Sequence, residues 1–235
     1  MFVLPRTDVQ VDWLNVETLQ SQDFPWGRLH TNEAARKKLP RFNQINPNSK
    51  DNEVYLLCPV EGNFNFHGSK NTVIVGGIEN KMSRISLNFW GRGAWFVLGP
   101  GSSCNNFAAE FIHEDVVAIG RDCMFSTEVV FRPNDMHVIL DETGTVINGS
   151  KPIVVRDHVW IGQRVMVLKG VEIGSGCIVG SGSVVTKAFP AACAVGGSPA
   201  KIIRRKVSWT RSRAPTAAEK ADAISYITAA AADES

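Results

Sequence analysis

Of the five histidines in the chain, His137 has the setting best suited to proton transfer. It ends the run Asn134-Asp135-Met136-His137 and is followed by the short apolar stretch Val138-Ile139-Leu140 and then Asp141. An imidazole with an ordinary pKa of about 6.5 is largely neutral at neutral pH, so it can take a proton from a hydroxyl. Hydroxyls are weak nucleophiles there, and acyl transfer from a thioester to a hydroxyl needs a positioned base. Asp135 or Asp141 could orient the ring. A histidine beside an aspartate is, by itself, an ordinary surface pair, so the elements that carry it decide its meaning.

Those elements have a period of six. From Ile153 to Lys187 aliphatic residues recur at Val155, Ile161, Val167, Ile173, Val179 and Val185. A smaller series follows at Val159, Val165, Val171, Cys177 and Ser183. Neither the 3.6-residue period of a helix nor simple alternation explains that step. A solenoid of short strands does, because each repeat places one bulky side chain on a shared axis and then turns. Earlier β-prone segments begin at Val54 with a ragged period, and Ile119, Phe125 and Phe131 restore the phase. Residues 132–152 break it with a turn-rich composition, reading as a loop that leaves the solenoid with His137 on it.

The expected organisation is a head over 1–53 packed on the first coil, a solenoid over 54–205 with the excursion at 132–152, and a tail over 206–235. Thr31 to Leu39 offers two helical turns before Pro40, and Pro47-Asn48-Ser49 reads as a linker. In the tail, Thr216 and Glu219 form a capping box. Ala217, Ala221, Ile224, Ile227 and Ala231 mark an apolar stripe on the helix that follows.

Composition narrows the function classes. A formal net charge of +2 over 235 residues lacks the basic excess of a nucleic-acid binder. The cluster Lys201, Arg204, Arg205, Lys206, Arg211 and Arg213 has no interleaved aromatic platform beyond Trp209. No apolar run reaches the length of a membrane span, and the first residues lack the apolar core of a signal peptide. Five cysteines without CxxC spacing favour neither disulfides nor a zinc ribbon. The expectation is a soluble protein of a reducing cytoplasm. His113, His137 and His158 lie too far apart in sequence for a zinc site on one stretch, so no metal is expected. A turn-stabilising role is expected of His158.

The runs "DHVWIG", "SGSVVTK" and "GGSPAKIIR" resemble the C-terminal signature of the hexapeptide-repeat acyltransferases, acetyltransferase branch. "NDMHVILDETGTVIN" is similar to the segment that carries the general base in the polysaccharide-type O-acetyltransferases, with Asn134 where that family commonly has serine. The resemblance implies an all-β solenoid, a left-handed parallel β-helix with an N-terminal head and a C-terminal α-helix. It implies acetyl transfer from acetyl-CoA to a sugar hydroxyl of a capsular or other surface polysaccharide. His137 would be the base, aided by Asp135 or Asp141, acting by direct transfer in a homotrimer. Cofactor contacts fall by resemblance on Trp160, Gln163, Ser181, Thr186, Lys187 and Lys201, with Arg204 in the basic cluster that would neutralise CoA phosphates. Alternation points Trp160 outward. An N-acyltransferase of aminosugars or xenobiotics and a non-catalytic solenoid scaffold are the rival readings.

Overall fold

The computed structural model describes residues 2–76 and 84–232. The chain winds into a β-solenoid whose coils lay strands on two faces from the first coil and on a third face from Ser103 onward. On the first face the parallel stack runs Gly27–Thr31, Asn52–Leu56, Thr72–Val75, Trp95–Leu98, Val116–Ile119, Ile153–Val155 and Glu172–Ile173. The second face stacks Arg41–Gln44, Glu61–Phe66, Arg84–Phe89, Asn106–Phe111, Val129–Arg132, Met166–Leu168 and Val184–Val185. The third holds Ser103–Cys104, Met124–Phe125, Trp160–Ile161, Ile178–Val179 and Cys193–Gly197, closed by antiparallel Ala200–Arg205.

The hexad arithmetic holds where the corners are tight. Val155 pairs with Ile173 and Val167 with Val185, three hexads apart. Both series point inward: Ile161, Val167, Ile173 and Val185, with Val159 and Cys177 between them, are fully buried. In the N-terminal half, Leu29 pairs with Val54, Val54 with Val73, Val73 with Phe96, and Phe96 with Val117. None of those separations is a multiple of six, because longer turns fill the corners. The wider coils are packed with aromatic rings: Phe66 stacks on Phe89 at 5.3 Å between centroids and Phe89 on Phe111 at 4.7 Å. Stacks of this kind add to the burial of large apolar surface.

The parallel ladder therefore opens at Gly27–Thr31, within the stretch expected to be a head over 1–53. Irregular corner lengths hid it from a search for sixes. The first residues lie along the side of the solenoid and not over its open end. Leu4, Val11 and Leu14 lie across the outside of the first face, on Ile74, Val97, Val116 and Ala118. That face is apolar on both sides, and Thr72–Val75 and Val116–Ile119 are buried throughout, so its outer surface needs a cover. Ion pairs fix the strap, Asp8 to Arg156 at 2.9 Å and Asp12 to Arg121 at 2.5 Å. The hairpin Gln20–Phe24 with Gly27–Thr31 covers the edge of the first face.

The expected helix after Thr31 is a single turn, Glu33–Arg36, capped by Asn32. The C-terminal helix spans Ala217–Ala232, and its capping box forms through Thr216 and Glu219. Its inward face differs from the expected stripe. Ala223 is buried and Tyr226 and Ile227 half-buried, whereas Ile224 is exposed. Stacking of Tyr226 on the solenoid sets the helix rotation, outweighing a weak alanine-rich moment. Among the described residues no helix is long and apolar enough to cross a membrane.

Candidate active site

The excursion departs where the second face turns towards the first, after Arg132, and returns at Ile153. Polar anchors hold it. The buried Asn134 amide donates to Glu110 O at 2.9 Å and to Asp115 Oδ2 at 2.6 Å, and its oxygen accepts from Met136 N at 3.0 Å. Asn148 Nδ2 donates to Asp135 Oδ2 and to His137 O, both at 2.8 Å. Lys169, from the next coil, pairs with Asp135 and donates to Asn148 O at 2.7 Å. Leu140 and Val146 form an antiparallel bridge inside the loop.

His137 thus has a fixed backbone. Its N donates to Asp135 O at 2.7 Å, and its carbonyl accepts from Asn148. The ring is exposed, and among the described residues none hydrogen-bonds to it. The expectation that Asp135 or Asp141 orients the imidazole is not met within one chain. Asp135 is taken up by Lys169 and Asn148, and the Lys169 ammonium holds its carboxyl below the usual range. Asp141 caps its own turn, accepting from Thr143 Oγ1 at 2.7 Å and from Thr143 N and Thr145 N at 2.9 Å. Those bonds, the Thr143 hydroxyl foremost, lower it too. Sequence reasoning missed the anchors Lys169 and Asp115; a lysine three hexads upstream of Lys187 on the same corner was the available signal.

The residues expected at the cofactor separate into two groups. Gln163 and Ser181 share the corner between the third and second faces, where Gln163 N donates to Ser181 Oγ at 3.1 Å. On the third face, Trp160 lies between Met124 and Ile178 and is 38% exposed, pointing outward as expected. Lys201 and Arg204 stand on the closing strand, opposite Gly196 and Ala194. Thr186 and Lys187 follow Val184–Val185, at the opposite edge of the second face. That edge is the one from which the His137 loop departs. One chain does not bring the two groups together.

His158 is built otherwise. It adopts a φ of 55°, which needs a committed local structure in a non-glycine residue. Its Nδ1 lies 2.6 Å from Asp122 Oδ2 and its Nε2 2.9 Å from Trp209 O. Trp209 and Tyr226 stack on its two faces at 4.3 and 4.5 Å. Burial pushes Asp122 up, but bonds from His158 and Arg211 outweigh it and leave the carboxyl lowered. Arg211 reaches further, to Ser103 Oγ at 2.6 Å and to Cys123 O at 3.0 Å. This cluster locks the tail onto the third face. His113 likewise bonds to a backbone amide, Arg92 N at 3.2 Å. Among the described residues no three metal-binding side chains converge.

Residues 152–187 match the family model for the bacterial transferase hexapeptide (six repeats). The coils over that stretch carry the hexapeptide repeat. It is 37% identical over 110 residues to the polysialic acid O-acetyltransferase of Escherichia coli O1:K1 / APEC, covering 46% of this chain and 34% of that protein. It is 31% identical over 159 residues to the probable acetyltransferase Rv3034c of Mycobacterium tuberculosis, covering 66% and 48%. The chain thus spans about half or less of the curated relatives it matches. Among solved structures it is similar to the polysialic acid O-acetyltransferase OatWY, with a TM-score of 0.64 and 25% identity over 80% of this chain and 95% of that one. The polySia-specific acetyltransferase NeuO is similar with a TM-score of 0.56 and 29% identity, over 87% and 98%.

Proposed function

We propose that this protein is an acetyl-CoA-dependent O-acetyltransferase of a carbohydrate, with His137 as general base. The observation that carries the reading is the His137 loop. Its backbone is pinned by Asn134, Asn148 and Lys169, while its ring stays exposed and without a hydrogen-bond partner among the described residues. Similarity to the polysialic acid O-acetyltransferases over most of the chain supports the class of acceptor.

In this reading the imidazole takes the proton of a sugar hydroxyl as that oxygen attacks the thioester carbonyl. The tetrahedral oxyanion is met by backbone N–H donors. The C–S bond then breaks, and the imidazolium returns its proton to the departing sulfur, giving free CoA and the sugar ester. All five cysteines are buried, and burial pushes the Cys104, Cys123 and Cys177 thiols up to about 12, which disfavours the thiolate that an acyl carrier needs.

The separation of the two cofactor groups supports a homo-oligomer, a trimer by the family's pattern. Corners carrying Gln163, Ser181 and Trp160 on one copy would face the corner with His137, Thr186 and Lys187 on the next. The loop displays Val138, Ile139, Leu140, Val146 and Ile147, each more than half exposed, an apolar set that a neighbouring copy would cover.

The test is acetyl transfer from acetyl-CoA to a glycan panel, followed by mass spectrometry, with wild type and His137→Ala. A histidine-dependent mass gain that mild alkali removes is expected, since esters hydrolyse and amides persist. An alkali-stable product would move the reaction to an amine acceptor. Undiminished transfer by a folded His137→Ala would remove the proposed base.

A further inference from the structure

One peptide closes the excursion loop. The N–H of Lys151 donates to Pro133 O at 3.3 Å, so the returning chain meets the departing chain across that bond. The carbonyl of the same peptide, Ser150 O, accepts from Arg6 Nη2 at 2.7 Å, across 144 residues of sequence. Arg6 belongs to the N-terminal strap. Its Nη1 donates to Glu114 O at 3.4 Å, on the corner of the coil beneath the loop. Asp115, next in the chain, accepts from Asn134 at the departing end of the loop. One planar guanidinium therefore ties the closing peptide to the corner that also holds the opening residue.

Covering the first face does not require this arginine. The cover is made by Leu4, Val11 and Leu14, and the ion pairs of Asp8 and Asp12 fix it. Arg6 is exposed, and what it reaches is two backbone carbonyls. Its placement is built by the strap. In the turn Leu4-Pro5-Arg6-Thr7, Thr7 N donates to Leu4 O at 3.4 Å and Arg6 has a φ of 61°. Proline second and a positive φ third mark a type II turn, whose third position ordinarily takes glycine or asparagine. Thr7 Oγ1 also donates to Leu4 O, at 3.2 Å, and Leu4 N donates to Val9 O at 3.1 Å. An arginine at that position gives the turn a side chain that glycine could not.

Ser150 stands two residues from Asn148, whose side chain brackets His137. Asn148 Nδ2 donates to His137 O at 2.8 Å, and its Oδ1 accepts from Ile139 N at 2.7 Å. We propose that Arg6 is a positioning residue for His137. By fixing the closing peptide to the coil beneath, it sets where the Asn148 arm of the loop stands, and with it the imidazole. The N-terminal strap is then part of the active site. The effect on transfer rests on the acetyltransferase reading; the lock on the loop rests on the bonds alone.

Arg6→Gly removes the guanidinium and suits the positive φ of the turn, so the strap keeps its place. Amide hydrogen exchange over residues 134–150 is expected to speed up in this variant, with exchange over residues 8–14 and the unfolding midpoint unchanged. With acetyl-CoA and polysialic acid as substrates, kcat should fall about fivefold, while KM for acetyl-CoA stays within about twofold. Arg6→Lys, which can reach one carbonyl, should recover part of the loss. Asp12→Asn, which frees the far end of the strap, should leave kcat unchanged. Loop exchange that is the same with and without Arg6 overturns the proposal. So does an unchanged kcat in Arg6→Gly where wild type transfers. A fall of equal size in Asp12→Asn overturns it too, assigning the effect to strap docking at large. Faster loop exchange in Arg6→Gly, without transfer by wild type, supports the lock and rejects the acetyltransferase reading for this acceptor.

Discussion

His137 and His158 lie on successive corners of the same solenoid and differ in almost every physical respect. The His158 ring has both nitrogens bonded and both faces covered, and it joins four segments of the chain. The His137 ring has none of this, although the backbone beneath it is tied by Asn148 and Lys169. A satisfied ring is part of the scaffold. An exposed ring on an anchored loop is available for a substrate. Motif spacing alone treats the two alike, since His158 belongs to the recognisable "DHVWIG" and His137 to the less regular run.

The contrast predicts that the two substitutions fail in different ways. His158→Ala should cost about 2–4 kcal/mol of stability, because it removes one of the two partners of Asp122, leaves Trp209 O without its donor and opens a gap between two rings. Thermal and denaturant unfolding would show this, with hydrogen exchange rising first in residues 206–232. His137→Ala should leave the unfolding midpoint within a degree or two, because no contact to its ring is lost. A large destabilisation by His137→Ala would dissolve the distinction.

Asn134→Ala sharpens the comparison by loosening the loop without touching the base. It removes bonds to Glu110 O and Asp115, so transfer should fall about tenfold while acetyl-CoA binding persists. Hydrogen exchange should speed over residues 134–150 only. The pH dependence follows from Asp135, whose carboxyl is lowered by Lys169. A depressed group contributes stability above its unfolded pKa and loses it as pH falls through the folded one. Loop protection should therefore persist at neutral pH and through the upper carboxylate range. It should fade only as pH drops below the range of ordinary aspartates. The smallest effect concerns Cys104, Cys123 and Cys177, which should resist alkylation in the native protein at pH 8 and react after denaturation.

How much of this was legible in the sequence depended on corner length. From Ile153 onward each corner is tight, so Val155 to Val185 displayed the coil in plain sixes, and the buried minor series followed. Upstream, turns of unequal length and rings such as Phe66 and Phe89 replaced small aliphatics, and the coil opening at Gly27 went unseen. The outer cover of the first face was hidden because Thr72–Val75 and Val116–Ile119 read as core strands whichever side is covered. At the site, the departure of the chain from the coil after Arg132 and the structural character of His158 were readable. The loop's anchors were not: Lys169 and Asp115 come from other coils, and only stacking brings them to the loop. The helix face was misjudged because Tyr226, aromatic and not aliphatic, sets its rotation.

Chemical rescue tests the central claim most directly. Acetyl transfer by His137→Gly is measured with imidazole added to the assay, beside His158→Gly as control. The account predicts that His137→Gly loses about 100-fold or more of its activity, and that imidazole restores part of it in proportion to concentration, with no such effect on the control. A folded His137→Gly that binds acetyl-CoA yet keeps full transfer without imidazole, or stays inactive at every imidazole concentration, would contradict it.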